Sequence, residues 1–252
     1  MPSQRYFIRL SFNGKNYHGW QVQPNAHTVQ AELDQALAVL AKERTETVGC
    51  GRTDTGVHAR EFFAHFDLAR AIADPGEFCH HLNGILPYDI AAHYLVPVVP
   101  GSHARFDATS RTYEYHLYRN KNPFLRDFAS YFPHPLDYGR MNAFADLLKQ
   151  HKDFSSFSKS NTQVFTNNCD IMHAAWIVHE DRSVFTIRAN RFLRNMVRAI
   201  VGTLLLAGED KINEKEFLAI LEGKDRRLAG ASMPACGLYL TQVEYPYLAQ
   251  TL

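Results

Sequence analysis

The sequence predicts an α+β fold built from two similar halves, and two observations support this prediction. Segments in which apolar and polar residues alternate, as they do in strands, occur between segments with the periodicity of helices. The order strand, helix, strand, strand occurs once before residue 108 and again after it. We therefore expect halves at 1–108 and 109–252, with mostly antiparallel sheets joined into one extended sheet and helices packed on one face.

The first half begins with an alternating segment at residues 6–11, which predicts a strand. A helix is expected next, because Thr28 offers a capping hydroxyl and the apolar residues after it recur at helical spacing. Those apolar residues are Val29, Leu33, Leu37 and Leu40. Two strands, a helix, a strand and a linker should follow. Their expected ranges are 45–48, 62–68, 75–82, 90–96 and 97–101.

The second half repeats this order. Its strands are expected at 112–118, 171–178 and 183–189, and its first helix at 141–148. A second helix, predicted from Asn190 to Leu206, separates an apolar stripe from a face on which three arginines lie within about 60° of one another. These arginines are Arg191, Arg194 and Arg198.

Arg198 differs from an ordinary surface arginine, because its place beside the apolar stripe would draw its side chain partly inward. A buried guanidinium is unfavourable without a carboxylate partner, and Asp54 is the candidate for that partner. A face of solvated arginines is the alternative interpretation of this helix.

Composition limits the possible classes of protein. With 252 residues, of which 46% are hydrophobic, the chain can bury a core, and its net charge of +1 neither favours nor excludes a nucleic acid partner. Four dispersed cysteines fit reduced thiols, and the 13 histidines lack the spacing of metal ligands, so neither disulfides nor a metal site is expected. The first ten residues have no uninterrupted apolar run, which predicts a soluble, cytoplasmic protein without a signal peptide or membrane span.

The segment from Gly51 to Ala59 places one carboxylate in a polar loop between two predicted strands. Gly51 and Gly56 would give this loop conformational freedom, and Arg52 brings a positive charge close to Asp54. Both features favour an ionised, accessible nucleophile. A tight turn with an Asx-type hydrogen bond is the structural alternative.

Three segments carry a resemblance to a known family. They are GRTDTGVHA at 51–59, SRTYEYHLY at 110–118 and FLRNMVRAIVG at 192–202, and they resemble the tRNA pseudouridine synthase A family. The resemblance spans nearly the whole chain, because further similar segments lie at 17–37, 82–90, 103–113, 153–159 and 233–245. The chain departs from the family pattern at 60–63 and 150–152, which contain none of the residues expected to react.

The resemblance implies an isomerase, working without a cofactor, that converts uridine to pseudouridine at positions 38, 39 and 40 of the anticodon stem-loop of tRNA. By position, it makes Asp54 the nucleophile, Tyr113 the residue against the target base and Arg198 the partner of the aspartate. The base must be flipped out of its stem to react. The carboxylate could attack C1′ or C6 or assist formation of a glycal, and the sequence does not distinguish these routes.

RNA would be bound mainly through its phosphates, and six side chains are candidates for this contact. They are Arg52, His58, Arg105, Lys159, Arg191 and Arg194. Ser160 and Asn161, which follow Lys159 in a predicted loop, are available for the same purpose. The resemblance also implies a homodimer, with one tRNA spanning both subunits, and an active-site cleft between the halves.

Two other functions are compatible with single features of the sequence. Asp54-Thr55-Gly56 is the triplet of aspartic proteases, but those enzymes need two such carboxylates and this chain has one such triplet, next to Arg52. A protease of the short retroviral type would take the second carboxylate from a dimer. A non-catalytic RNA-binding protein on the same scaffold is the other alternative, and for it Asp54 would be dispensable.

Overall fold

A computed structural model describes residues 3–159 and 165–248. Within these residues the chain forms nine strands and five α-helices with mixed strand pairing, so the predicted α+β class is confirmed. The chain divides into two compact units: unit 1 contains the residues up to Thr109 and those from Leu240 onward, and unit 2 contains Ser110–Tyr239. No helix in the described part of the chain has both the length and the apolar character needed to cross a bilayer.

Unit 1 contains four strands from the first part of the chain. They are β1 (Gln4–Phe12), β2 (Val48–Gly49), β3 (His58–Leu68) and β4 (Ile90–Val98). Strand β1 lies between β3 and β4 and is antiparallel to both, while the short β2 pairs antiparallel with β3. Phe7, Ile8 and Leu10 of β1 are completely buried, because side chains on both faces of this strand enter the core of unit 1.

Two helices complete this unit, α1 (Val29–Ala41) and α2 (Pro75–Ile85). The Thr28 hydroxyl accepts a hydrogen bond from the amide of Ala31, which confirms the predicted cap of α1. The Asp74 carboxylate caps α2 in the same way. Along α1, the predicted apolar face is buried at Val29, Leu33 and Leu37, whereas Leu40 is partly exposed near the end of the helix.

Several predicted boundaries in unit 1 are wrong, and contacts in the structure explain two of them. The strand expected at 45–48 begins only at Val48, because Thr47 donates its amide and its hydroxyl to the Asp34 carboxylate and accepts a bond from the Gln30 side chain. The linker expected at 97–101 is strand as far as Val98, since Pro97 lies opposite Tyr6 in the β1–β4 pairing. Strand β4 is paired only on the β1 side within unit 1, where proline is tolerated.

Unit 2 has strands β5 (Ser110–Tyr118), β6 (Ser130–Tyr131), β7 (Ile171–Val178) and β8 (Ser183–Ala189). Strand β8 lies between β5 and β7 and is antiparallel to both, whereas β6 pairs in parallel with β5. The helices are α3 (Tyr138–Leu148), α4 (Met196–Gly208) and α5 (Glu214–Glu222). Phe144 of α3 and Phe217 of α5 meet in the core with ring centroids 5.1 Å apart.

The helix predicted from Asn190 to Leu206 starts six residues later than expected, at Met196. The backbone of Asn190 instead donates to the Asp170 carbonyl, and its side chain bonds the amide and carboxylate of Asp170. Asn195 has a left-handed conformation, with φ +66°, directly before the helix. Arg191 and Arg194 therefore lie outside the helix, and the arginine face predicted for these two residues and Arg198 does not exist.

The last strand, β9 (Leu238–Glu244), ends in a different unit from the one in which it begins. In unit 1 it lies beside β3, where the amide of Val243 donates to the Glu61 carboxylate over 2.9 Å. The Tyr245 ring then packs edge-on against Phe7 and Phe63. The predicted halves, 1–108 and 109–252, did not include this return of the chain to unit 1.

Candidate active site

Asp54 lies in the loop between β2 and β3, with its side chain partly exposed. Its carbonyl accepts a hydrogen bond from the amide of Val57 over 3.2 Å, which closes a tight turn. Gly56 is the third residue of that turn and has φ +78°, a conformation that L side chains rarely adopt. The prediction that Gly56 supplies conformational freedom is confirmed. For Gly51 it is wrong, because Gly51 does not have a positive φ and a Cβ there would meet no atom within 4 Å.

The segment Tyr17–Trp20 supports the turn through its backbone. The Gly56 amide donates to the Tyr17 carbonyl over 3.2 Å, and the Trp20 amide donates to the Thr53 carbonyl over 3.3 Å. Between them, Gly19 has φ +85°, and a Cβ at this position would lie 2.2 Å from the Thr53 carbonyl oxygen. This close approach requires glycine. Two backbone hydrogen bonds, one on each side of Asp54, thus fix the path of the loop.

Tyr17 is itself fixed by Asp89, in the turn between α2 and β4. The Tyr17 hydroxyl donates to Asp89 Oδ1 over 2.5 Å, and the Asp89 carbonyl accepts from the amide of Asn13 over 2.9 Å. Burial of the phenol, together with its bond to Asp89, raises the pKa of Tyr17 well above its usual range. The hydroxyl therefore stays protonated and remains a donor at any physiological pH.

His58 is the first residue of β3, directly after the loop, and is buried, with 2% of its surface exposed. Its Nδ1 accepts a hydrogen bond from the amide of Gly14 over 3.1 Å. Gly14 must be glycine, because a Cβ there would lie 1.9 Å from the carbonyl oxygen of Val57. The predicted contact of His58 with RNA is not favoured by this burial, and the bond from Gly14 instead ties the His58 ring to the segment that follows β1.

Arg52 and Arg105 are both exposed in unit 1, but they lie in different regions. Arg52 is two residues before Asp54 in the same loop. Arg105 belongs to a loop whose Ala104 amide donates to Nδ1 of His65. Seven residues separate His65 from His58 along β3, which corresponds to roughly 23 Å. The structure therefore places Arg52 next to Asp54 and Arg105 toward the far end of β3.

Tyr113 lies in β5, opposite Ile187 of β8. Its side chain is partly exposed, whereas Tyr115 and Tyr118 of the same strand are buried, with 0% and 7% of their surface exposed. The Tyr113 ring meets the Phe192 ring edge-on, with centroids 5.1 Å apart and planes at 88°. Of these three tyrosines, Tyr113 alone combines access to solvent with an aromatic neighbour that fixes its ring. Phe192 lies within the similar segment at 192–202 and was not singled out from the sequence.

Arg198 is in the first turn of α4, and not near the middle of a helix as the predicted bounds 190–206 implied, and its side chain is partly exposed. Its Nε donates to the Met233 carbonyl over 2.5 Å, and the Met233 amide donates to the Arg198 carbonyl over 3.1 Å. The next residue, Pro234, accepts from the Tyr115 hydroxyl over 2.8 Å. The segment at 233–234 therefore aligns Arg198 relative to β5, a role that no local pattern indicated.

Three cationic residues come together in unit 2, and we call them the basic cluster: Lys159, Arg191 and Arg194. The amide of Lys159 donates to the Arg194 carbonyl over 3.1 Å, and the Arg191 guanidinium donates to the carbonyl of Thr166. The side chains of Lys159 and Arg194 are exposed. Loop contacts, not a shared helix face, assemble this cluster. Ser160 and Asn161 lie outside the described residues.

The site residues do not include a candidate metal centre. Among residues 3–159 and 165–248, no three histidine, cysteine, aspartate or glutamate side chains are arranged to bind a metal ion together. The candidate groups of unit 1 are the accessible carboxylate of Asp54 and the exposed side chain of Arg52. Those of unit 2 are the accessible ring of Tyr113, Arg198 and the basic cluster. These groups suit nucleophilic attack by a carboxylate on an aromatic, anionic substrate.

Comparison with known proteins connects these groups to an enzyme family. A family model described as tRNA pseudouridine synthase matches residues 145–246. The tRNA pseudouridine synthase A of Parabacteroides distasonis is 51% identical over 243 residues, covering 96% of this chain and 96% of that protein. The protein of the same name from Bacteroides fragilis is 48% identical over 98% of both chains, and that from Bacillus subtilis is 42% identical over 94% of this chain and 97% of its own. The chain therefore belongs to the tRNA pseudouridine synthase A family, a family of isomerases that act on tRNA.

Proposed function

We propose that this protein converts uridine to pseudouridine at positions 38, 39 and 40 of the anticodon stem-loop of tRNA, with Asp54 as the nucleophile. The observation that carries the proposal is the setting of Asp54: a partly exposed carboxylate on a turn whose path is fixed by bonds to Tyr17 and Trp20. Such preorganisation is what a nucleophile requires. Family membership supplies the reaction and the class of substrate.

The chemistry needs a carboxylate and no change of oxidation state. The glycosidic bond from C1′ to N1 breaks, the uracil turns, and a bond from C1′ to C5 replaces it, with the proton of C5 finally released to N1 or to solvent. An ionised Asp54 would assist by attack on C1′, by attack on C6, or by removing a sugar proton on the way to a glycal. All three routes use the carboxylate of Asp54.

Tyr113 and Arg198 would complete the active site from unit 2. The target base is enclosed in a stem and must be flipped out, and the accessible Tyr113 ring offers it a flat surface. The Arg198 guanidinium, aligned by Met233, would keep the carboxylate of Asp54 ionised and oriented. The proposal therefore assigns the reaction to Asp54, Tyr113 and Arg198.

The remaining cations would bind the phosphates of the RNA. Arg52 lies next to the reacting carboxylate, while Arg105 and the basic cluster would contact more distant parts of the anticodon arm. His58 would act indirectly, through its bond to the amide of Gly14. We also propose that the protein works in the cytoplasm as a homodimer, with one tRNA spanning both subunits.

Replacement of Asp54 by Asn or Ala tests this function. We expect both variants to fold and to bind tRNA with unchanged affinity, while pseudouridine formation at positions 38 to 40 is abolished in an assay without added cofactor. Asp181→Asn is the matched control, because Asp181 is an exposed aspartate that pairs with its neighbour Arg182. Substantial turnover by Asp54→Ala would refute the nucleophile. A wild-type protein that binds tRNA without converting any uridine would instead identify a non-catalytic RNA-binding protein.

A further inference from the structure

We propose that Tyr17 and Asp89 are positioning residues for Asp54, acting through the hydrogen bond from the Gly56 amide to the Tyr17 carbonyl. The inference rests on the proposed function, because it concerns the placement of the proposed nucleophile. Neither residue is expected to touch the substrate. Their effect on the reaction would come from the fixed path of the turn in which Asp54 lies.

The bonds that connect Asp89 to Asp54 form a continuous series within unit 1. Asp89 Oδ1 accepts from the Tyr17 hydroxyl over 2.5 Å, and the Tyr17 carbonyl accepts from the Gly56 amide over 3.2 Å. Gly56 belongs to the turn that begins at Asp54 and closes at Val57. The Asp89 carboxylate is therefore connected to the backbone of Asp54 through one side-chain hydrogen bond and two backbone hydrogen bonds.

Asp89 is a well-fixed acceptor. Its carbonyl oxygen accepts from the Asn13 amide over 2.9 Å, and its second carboxylate oxygen accepts from the side chain of Asn16 over 3.3 Å. The amide of Ile90, the next residue, donates to the Pro87 carbonyl, which closes the turn around Asp89. Bonds on both sides of the carboxylate leave it little freedom to follow a displaced Tyr17.

Tyr17 is equally constrained, since only 2% of its surface is exposed. Its ring packs against His27 with centroids 4.6 Å apart, and its amide donates to the Gly14 carbonyl over 3.0 Å. Without the hydroxyl bond, the ring would stay buried but would lose the contact that fixes its rotation and its distance from Asp89. The Tyr17 carbonyl would then move over a wider range, and the Gly56 amide with it.

Small displacements of Asp54 should lower the reaction rate strongly, because a misplacement of about 1 Å reduces the rate of a preorganised reaction by as much as about 100-fold. We therefore expect Tyr17→Phe and Asp89→Ala to reduce the single-turnover rate of pseudouridine formation by about 10- to 100-fold. The double variant should be no slower than the slower single variant, because both substitutions break the same bond. Asp89→Asn keeps an oxygen acceptor for the Tyr17 hydroxyl and should restore most of the rate.

Tyr6→Phe is the matched control. Tyr6 also lies in unit 1 with 2% of its surface exposed, and its hydroxyl accepts a bond from the amide of Ile72. In the β1–β3 pairing Tyr6 is opposite Phe66, eight residues along β3 from His58. Tyr6→Phe therefore removes one hydrogen bond from an equally buried tyrosine far from the Asp54 loop. We expect it to lower thermal stability without changing the single-turnover rate.

Two measurements separate positioning from general destabilisation. The affinity for tRNA should be unchanged in Tyr17→Phe. The loss of activity should therefore appear in the rate at which the protein–tRNA complex forms pseudouridine, and not in KM. Amide hydrogen exchange should accelerate at Gly56 in Tyr17→Phe and Asp89→Ala, with no change in the amides of β1, whereas Tyr6→Phe should leave Gly56 unchanged. A Tyr17→Phe protein with the wild-type rate and unchanged exchange at Gly56 would overturn the inference.

The exchange measurement does not depend on activity, and this keeps the two proposals distinct. If Asp54→Ala remained active, Asp54 would not be the nucleophile, although exchange at Gly56 would still report whether Tyr17 and Asp89 fix the turn. If Asp54→Ala were inactive and Tyr17→Phe fully active, the nucleophile would stand and the positioning role would be wrong.

Discussion

Arg198 connects two segments of unit 2 by a bond in each direction, since its Nε donates to the Met233 carbonyl and its own carbonyl accepts from the Met233 amide. Because the side chain is partly exposed, the loss of about 3–5 kcal/mol that follows the breaking of a fully buried ion pair is not expected here. A hydrogen bond from a charged group contributes about 1.5–3 kcal/mol. Arg198 thus has a structural value of that order in addition to its proposed role.

We expect Arg198→Ala to lower the free energy of unfolding by about 1.5–3 kcal/mol and to abolish pseudouridine formation. Arg198→Lys should not restore activity, because an ammonium group cannot reproduce the geometry of the Nε donor while also reaching a carboxylate. Urea denaturation and a tRNA conversion assay provide the two measurements. An Arg198→Ala protein as stable and as active as the wild type would remove this residue from the site.

His65 should make the folding stability of the protein depend on pH. Burial, with the positive charges nearby, lowers the pKa of His65 to about 4, and its Nδ1 accepts from the Ala104 amide, which only the neutral ring can do. Between about pH 6.5 and 4 the unfolded chain binds a proton that the folded protein does not. This difference should cost about 3 kcal/mol of stability over that interval.

The test compares His65→Asn with the wild type in urea at several pH values. Asparagine keeps an acceptor and does not titrate, so the loss of stability on acidification should be smaller in the variant. Asp34 acts in the opposite direction, because burial raises its pKa to about 6 and favours the folded state as the pH falls. Because Asp34 is present in both proteins, the difference between their pH profiles of stability gives the contribution of His65. Identical pH profiles for the two proteins would contradict the assignment.

Among the elements, α4 depends on the absence of a side chain at Gly202. A Cβ there would lie 1.8 Å from the carbonyl oxygen of Ala231, in the segment that leads to Met233. Gly202→Ala should therefore lower the free energy of unfolding by about 2 kcal/mol or more, although alanine is the better helix former.

Gly84 in α2 provides the matched helical control, because a Cβ at that position would meet no atom within 4 Å. Gly84→Ala should raise the free energy of unfolding by about 0.5–1 kcal/mol, through helix propensity alone. Thermal or urea denaturation of both variants gives the comparison. If both substitutions shifted stability in the same direction, the close approach of α4 to Ala231 would not be a determinant of stability.

Elements encoded by short-range patterns could be predicted from the sequence, and those that depend on distant partners could not. The alternation of residues at 171–178 and 183–189 predicted β7 and β8 with their observed bounds. The helix predicted at 190–206 included the residues before Met196, yet Asp170 and Thr166 bind that segment and Asn195 adopts a left-handed conformation. A local sequence pattern gives no information on contacts with another loop that prevent a segment from becoming helical.

The same limit applies to the candidate site. The polar loop around Asp54 and the requirement for glycine at Gly56 could be predicted from the nine residues 51–59, because a tight turn is a local structure. The partners that fix the loop, Tyr17 and Asp89, come from positions more than 30 residues away on either side. They were part of similar segments, but nothing in their spacing indicated a contact with the loop.

For the whole molecule, a net charge of +1 means that long-range attraction of tRNA is weak and that local clusters must supply the binding energy. The affinity should still fall steeply with salt if, as we propose, the cations of the basic cluster bind phosphates and displace their counterions. Lys159→Ala and Arg194→Ala should each weaken binding and reduce the slope of log K against log salt by about 1.

Lys149→Ala is the control for this measurement, because Lys149 lies in the same unit and is paired with Asp146. It should leave the slope unchanged. Titrations of labelled anticodon-arm RNA at several salt concentrations give the slopes. Equal slopes for wild type, Lys159→Ala and Arg194→Ala would show that the basic cluster does not contact phosphates.

The course of β9 has a consequence for biosynthesis. Most of unit 1 is translated before unit 2, yet its residues from Leu240 onward are translated after unit 2. Until they appear, Glu61 lacks the Val243 amide, and Phe7 and Phe63 lack the cover of Tyr245. Unit 1 is therefore incomplete throughout translation of unit 2, and chains truncated before Leu240 should be recognised by chaperones and proteases as unfolded.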